Sequence, residues 1–139
     1  MGYKSPNYYT LPILSIAMSL SDSTTYYYGF AATGGAGTTT LNRVYVPRSG
    51  IIRKGSILTN SPTTVGTNEN MVMKIRVNDA TDYTFATVGL ATQDRLFQNL
   101  TLDIPVAAGD FISIKLETPA WVTNPDGFRI GGTLFIECE

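Results

Sequence analysis

The fold class is indicated most clearly by residues 96–117, LFQNLTLDIPVAAGDFISIKLE. Apolar side chains share one parity over the first half of this stretch, at Leu96, Leu100, Leu102, Ile104 and Val106. This alternation predicts a strand at residues 96–106 with one buried face. Residues 107–110, AAGD, have the chemistry of a tight turn, and residues 111–117 alternate again. The two segments together predict an antiparallel hairpin.

The rest of the chain is punctuated by turn residues every eight to twelve positions or so, a spacing typical of all-β proteins. Thr, Tyr and Phe are frequent, and no stretch has helical periodicity. We predict further strands at residues 11–20, 24–30, 41–46, 51–59, 71–79, 83–88 and 129–138. Short strands of this number predict an antiparallel jelly-roll β-sandwich over residues 11–139. Residues 1–10 are predicted to form an N-terminal arm that is free of the core.

The composition excludes several classes of function. Of 139 residues, 15% are charged, and ten Lys and Arg balance eleven Asp and Glu, so no phosphate-binding surface is expected. The absence of His and the single Cys exclude a Ser–His–Asp triad, a Cys–His pair, a His-ligated zinc site and an intrachain disulfide. Paired carboxylates remain the feasible catalytic set. Because only Glu69 and Glu117 lie away from the C-terminus, we predict no enzyme. We also predict no cofactor, and no metal because no EF-type spacing is present.

Residues 11–20, LPILSIAMSL, are the one candidate targeting segment. They are too short to span a bilayer, so no membrane insertion is expected. They could serve as the apolar part of a secretory signal, but Pro12 and the two serines favour a first strand.

Four segments resemble a family of phage proteins: residues 22–29 (DSTTYYYG), 43–50 (RVYVPRSG), 73–78 (MKIRVN) and 106–115 (VAAGDFISIK). Similar segments occur in this order in jelly-roll proteins of tailed bacteriophages, which resemble the tumour necrosis factor-like jelly roll. This chain departs from the pattern at Asp79, where a Gly is usual. The resemblance covers residues 11–139 and carries no catalytic residue.

The resemblance implies a homotrimer that decorates a phage capsid or projects from it as a head fibre. The implied role is to stabilise the capsid or to mediate adhesion, with the major capsid protein or another virion protein as partner. The alternative is a fibre-tip module that binds a host receptor or glycan. In both cases the expected location is the virion, with no nucleic acid bound.

Phe97 and Phe135 lie on the polar parity of their predicted strands, which the family's strand order places in one sheet. Bulky aromatic side chains on an outer sheet face are expected to be covered. We therefore predict a trimer interface at Phe97 and Phe135, with Thr101 and Thr133 beside them. The alternative is two half-exposed phenylalanines, which are ordinary singly.

Other aromatic residues are candidates for binding. Alternation sends Tyr26 and Tyr28 to one face and Tyr27 to the other. Tyr27 and Trp121 are candidate receptor or glycan contacts, and the alternatives are ordinary strand packing for the tyrosines and a loop plug for Trp121. Tyr3, Tyr8 and Tyr9 of the N-terminal arm are candidates for docking on a capsid.

Five aspartates lie in predicted turns: Asp22, Asp79, Asp82, Asp94 and Asp126. Such residues usually bond their own backbone, and a calcium site would need several of them to converge. Cys138 has the apolar parity of the last strand. A buried thiol is the expected interpretation, and a disulfide between subunits is the alternative.

Overall fold

The computed structural model describes residues 7–15, 17–29, 35–36 and 42–138. Among them are the following strands: β1 (Tyr8–Leu14), β2 (Thr25–Tyr28), β3 (Gly35–Ala36), β4 (Val44–Tyr45), β5 (Gly50–Asn60), β6 (Met71–Val77), β7 (Thr81–Val88), β8 (Asp94–Asn99), β9 (Ile104–Val106), β10 (Phe111–Glu117) and β11 (Arg129–Cys138). These ranges contain no helix that is long and apolar enough to cross a membrane.

The strands form two antiparallel sheets that share one core. Sheet I has the order β1-β11-β5-β8, and β9 also pairs with β5. Sheet II has the order β3-β2-β10-β6-β7, and β4 also pairs with β10. From β5 onward the chain crosses repeatedly between the sheets, which is jelly-roll connectivity. The predicted all-β antiparallel jelly-roll sandwich is confirmed.

The core follows the alternation of the sequence. In β6, the side chains of Met71, Met73 and Ile75 are fully buried. Beside them in sheet II are the buried residues of β10, which are Ile112, Ile114 and Leu116. Opposite them lie the buried residues of sheet I, among them Ile13, Ile52, Ile57, Leu134 and Ile136. Each large apolar side chain removed from water stabilises the fold by about 1.5–3 kcal/mol. Strands β10 and β11 have the predicted bounds.

The predicted hairpin of residues 96–117 is wrong. β9 pairs with β5 in sheet I, whereas β10 pairs with β6 in sheet II. The turn is present, since Asp110 N donates to Ala107 O at 3.0 Å and Gly109 has φ of 90°. It connects the two sheets because each strand finds its partner far away in sequence, which alternation alone does not reveal.

The single strand predicted at residues 96–106 is also wrong, because it is divided into β8 and β9. Phe97 is buried, whereas Leu96 and Leu100 are exposed, so the inward parity changes between the two strands. The neighbouring strand β5 changes parity at the same level, where its pairing with β11 jumps from Lys54 to Ile52. Arg53 is the extra residue of this bulge, and its carbonyl accepts from Leu102 N at 2.9 Å.

Two local predictions on turns and termini have different outcomes. Asn78 and Asp79 have φ of 53° and 54° and connect β6 to β7, so the predicted turn and return strand are confirmed. Tyr8 and Tyr9, by contrast, are not part of a free arm, because they pair with Glu137 and Ile136 of β11. Tyr3 lies outside the described residues.

Candidate assembly face

The outer face of sheet I carries a line of apolar residues that crosses the sheet. The register places Leu14 of β1 beside Gly131 of β11, Gly131 beside Leu58 of β5, and Leu58 beside Leu96 of β8. We call Leu14, Leu58 and Leu96 the leucine row, and Gly131 lies between the first two of them. The exposed fractions are 54% for Leu14, 47% for Leu58 and 58% for Leu96. Apolar residues exposed side by side are typical of a surface that binds another protein.

The next line of residues on this face is polar apart from Pro12. Pro12, Thr133, Ser56 and Gln98 are neighbours across the same four strands. Gln98 Nε2 donates to Ser56 Oγ at 3.3 Å. In the following line, Lys54 Nζ lies 5.3 Å from the ring centroid of Phe135 and 5.9 Å from that of Tyr8. The face therefore combines an apolar end with a polar centre and aromatic rings beyond it.

Charged residues lie at both ends of this outer face. At the aromatic end, Arg53 is paired with Glu137 and Asp103, both at 2.5 Å. At the leucine end, Arg129, Asn60 and Asp94 follow one another across β11, β5 and β8. Asn60 Nδ2 donates to Asp94 Oδ1. Arg129 is exposed and has no ion pair within the described part of the chain.

The four residues predicted for the interface have different placements. The prediction that Phe97 lies in the interface is wrong, because its exposed fraction is 4% and it pairs with Ile57 on the core side. Phe135 and Thr133 lie half-buried on the outer face of sheet I. Thr101 is exposed between β8 and β9, and its backbone N donates to Asn99 Oδ1 at 3.1 Å. The placement of Phe97 and of the final strand in one sheet is confirmed.

The interface predicted from the sequence did not include the leucine row, although the sequence contains a signal for it. Leu14 follows Ile13, Leu58 follows Ile57, and Leu96 precedes Phe97. In an extended strand, adjacent residues point to opposite faces, so one apolar residue of each doublet has to face outward. Three such doublets could have indicated an apolar outer face, but only the register shows that they lie side by side.

Trp121 is buried, with an exposed fraction of 5%, so it is not available as the receptor or glycan contact considered from the sequence. Its backbone N donates to Asp22 Oδ1 at 3.1 Å, and the N of Val122 donates to Glu69 Oε1 at 3.1 Å. The structure agrees with the alternative of a loop plug. Hydrogen bonds from Thr67 and from the backbone hold the pKa of Glu69 below its ordinary value, which keeps this carboxylate charged as an acceptor.

The outer face of sheet II is charged. Tyr26 and Tyr28 are buried and Tyr27 is half-buried, as alternation predicts. Tyr27 pairs with Lys115 on this face, and its role as a glycan contact stays a prediction. Beside it four ion pairs join end to end: Lys74–Glu117 at 2.7 Å, Lys115–Glu117 at 3.3 Å, Lys115–Asp82 at 2.8 Å and Arg76–Asp82 at 2.7 Å. We call these five residues the ion-pair chain.

The charges of the ion-pair chain hold one another in their ionised forms. Burial alone would raise the pKa of Asp82, but hydrogen bonds from Lys115 and Arg76 outweigh it and lower that pKa. Hydrogen bonding to Lys74 lowers the pKa of Glu117, and bonding to Asp82 raises the pKa of Lys115. Both internal glutamates, Glu69 and Glu117, are therefore engaged as structural acceptors.

The aspartates of the predicted turns are dispersed over the molecule. Asp22 and Asp82 have the contacts described above, and Asp79 accepts from Arg43 at 2.8 Å. Asp126 accepts from Ser19 and from Gly127 N, which lowers its pKa. Within the described ranges, no three side chains of Asp, Glu or Cys are grouped so that they could hold a metal ion. Cys138 is a half-buried free thiol.

Comparisons with known proteins give a similarity of shape. No protein-family model matches the chain, and no curated protein matches it. A crystal structure of murine APRIL aligns over 94% of this chain and 99% of its own, with 13% sequence identity and a TM-score of 0.48. The assignment of the jelly roll rests on the strand order of the two sheets.

Proposed function

We propose that this protein is a non-enzymatic structural protein of a bacteriophage virion, a capsid decoration protein or head fibre that acts as a homotrimer. The observation that carries this proposal is the leucine row on the outer face of sheet I. Three exposed leucines lie in register on this face, and exposed apolar side chains that are grouped together are typical of protein contact sites. Association of identical copies with closed symmetry would cover it.

The virion assignment is supported by the four sequence segments that resemble phage jelly-roll proteins. Their order matches along the chain, and they include the turn at Gly109 and Asp110. The proposed partner beyond the trimer itself is the major capsid protein or another virion protein. The proposed effect is to stabilise the capsid or to extend an adhesive surface from it.

The mechanism is binding rather than chemistry. Closing the trimer removes apolar side chains from water at about 25 cal/mol per Å². It also shields the open edges of sheet I from pairing with unrelated chains. Glu69 and Glu117, the only internal glutamates, are engaged by backbone and lysine donors, so they have structural roles in this proposal.

Native mass spectrometry of the purified chain tests the assembly. We expect a mass of three chains for the wild type and of one chain for Leu58→Asp. Val122→Asp is the matched control, because Val122 is 86% exposed but lies away from sheet I in the loop after Trp121. A wild-type monomer, or a Leu58→Asp trimer as stable as the control, would contradict the proposed assembly.

A second experiment tests the virion role. Purified protein is added to phage capsids that lack it, and its occupancy is measured by cryo-electron microscopy. We expect density in sets of three chains on the capsid surface, absent with the Leu58→Asp variant. A trimer that leaves the capsids bare would contradict decoration while leaving the assembly intact.

A further inference from the structure

We propose that the outer face of sheet II binds a neutral saccharide, with the ring of Tyr45 as the surface on which the sugar stacks. Tyr45 lies in β4, and its exposed fraction is 60%. Its neighbours Val44 and Ile112 are buried in the core, so Tyr45 and its partner Phe111 point outward. This site lies in the sheet that does not carry the leucine row, so it goes beyond the proposed assembly and does not depend on it.

The ring of Tyr45 is supported by a fixed neighbour. Its centroid lies 5.9 Å from that of the half-buried Phe111, and the two ring planes are inclined at 59°. Phe111 is anchored to the turn between β6 and β7, because its N donates to Asn78 Oδ1 at 3.0 Å and its O accepts from Asn78 N at 2.9 Å. A ring that is already positioned loses little conformational freedom when a ligand binds to it.

A guanidinium group lies beside the two rings. Arg43 Cζ is 4.0 Å from the ring centroid of Phe111, and Arg43 Nη2 donates to Asp79 Oδ2 at 2.8 Å. Asp79 has φ of 54°, a conformation that glycine adopts most readily, yet this position carries a carboxylate. That carboxylate holds the guanidinium against the ring. We call Tyr45, Phe111 and Arg43 the tyrosine platform.

The surroundings of the tyrosine platform favour a saccharide over a protein. The platform has one highly exposed ring, and the ion-pair chain lies on the same face, whereas the centres of protein interfaces are depleted of charged residues. A hexose presents a C–H face that stacks on an aromatic ring and hydroxyl groups that bond to polar side chains. An exposed ring with charged groups nearby matches both sides of such a ligand.

The pairing of the charges favours a neutral saccharide. Arg43 is paired with Asp79, and 25% of its side chain is exposed. Arg76 and Lys115 are both paired with Asp82. The carboxylate of an acidic sugar would have to compete with these ion pairs. A neutral hydroxyl group, by contrast, can bond to the same side chains without separating their charges.

Tyr27 gives the proposed site a length. It pairs with Lys115 on the same outer face, four residues along β10 from Phe111, which corresponds to about 13 Å. Strands β2 and β4 both lie on the side of β10 that is opposite β6. The two outward tyrosines therefore follow one side of β10, and a chain of several sugar units can contact both rings.

A glycan array followed by calorimetric titration tests the site. The purified protein is applied to immobilised neutral and acidic oligosaccharides, and the neutral one that is retained best is titrated in solution. We expect Tyr45→Ala to raise its Kd at least about tenfold, because the stacking surface is lost. Tyr45→Phe keeps the ring and should keep most of the affinity. Tyr8→Ala is the matched control, because Tyr8 is 48% exposed in sheet I.

Three results would overturn the proposal: an array on which no saccharide is retained, a preference for acidic saccharides, or an affinity that Tyr45→Ala leaves unchanged. Native mass spectrometry of the same samples separates this proposal from the proposed assembly. A wild-type monomer that binds the saccharide would contradict the trimer and support the site. A trimer that binds no saccharide would do the reverse.

Asp79→Gly tests the positioning role of Asp79. Because glycine accepts the positive φ of this turn, we expect the temperature of thermal unfolding to change little. The guanidinium of Arg43 is then no longer held against Phe111, so the Kd for the saccharide should rise several-fold. A Kd equal to that of the wild type would show that Asp79 and Arg43 do not take part in binding.

Discussion

The outer faces of the two sheets are built from strands of the same kind but differ in how their side chains are satisfied. On sheet II, the ion-pair chain pairs its basic and acidic groups within one molecule. On sheet I, the leucine row is exposed and Arg129 has no ionic partner among the described residues. The charges of the first face are paired within a single chain, whereas the second face leaves apolar side chains and a cation exposed to water.

The largest effect is expected from Phe97→Ala, which tests which side of β8 faces outward. Phe97 is buried among core residues, so we expect the free energy of unfolding to fall by about 3–5 kcal/mol. Urea denaturation at a fixed chain concentration measures it. A loss of stability below about 1 kcal/mol would indicate that the side chain of Phe97 lies on the outer face.

A smaller loss is expected from Gly132→Ala, which separates the inner and outer sides of β11. Its methyl group would meet Ser56 O at 2.3 Å and Ile57 Cα at 2.8 Å, so β11 and β5 have to move apart. We expect a destabilisation of about 1–3 kcal/mol by thermal unfolding. Gly131→Ala is the control, because a methyl group at Gly131 would lie no closer than 3.9 Å to its nearest neighbours, Ile13 O and Leu14 Cδ2. Equal effects at the two glycines would contradict this difference in packing.

Asp82→Asn tests whether sheet II is held by its ion-pair chain. Asp82 is the acceptor for both Lys115 and Arg76, and we expect its loss to cost about 1 kcal/mol at neutral pH. Because the folded-state pKa of Asp82 is lowered, its contribution is present above the unfolded pKa of about 3.9 and disappears as the pH falls through the folded value.

The pH dependence gives this prediction a second readout. Stability measured from pH 7 down to about pH 2 should decline less steeply for Asp82→Asn than for the wild type. Asp103→Asn is the control on sheet I, because Asp103 is highly exposed and its pair with Arg53 should contribute less. An equal acid dependence in the wild type and Asp82→Asn would show that the ion-pair chain does not stabilise the fold.

The smallest effect on the single chain is expected from Leu96→Ser. Leu96 is the exposed neighbour of Phe97, so the free energy of unfolding of the monomer should change by less than about 0.5 kcal/mol. Sedimentation velocity should nevertheless show weaker assembly. A large loss of monomer stability would place Leu96 in the core and remove it from the leucine row.

The strands were predictable where alternation was regular and uninterrupted. β10 and β11 have the predicted bounds, and the turn at Asn78 and Asp79 follows from residues that accept positive φ. The candidate site was less predictable. Phe135 and Thr133 were placed on the correct face, but the bulge at Arg53 and the matching break after β8 exchanged the faces of Leu96 and Phe97. A shift of one residue reverses every side chain beyond it, and composition gives no sign of it.

The sequence by itself determined that this is an all-β sandwich without histidine chemistry, because alternation and residue inventory are local properties of the chain. Only the tertiary structure decided that β9 and β10 lie in different sheets and that Leu14, Leu58 and Leu96 lie side by side. Strand pairing joins residues far apart in sequence, and its register depends on the packing of the whole core. For that reason the apolar face of sheet I became visible only after every strand had found its neighbour.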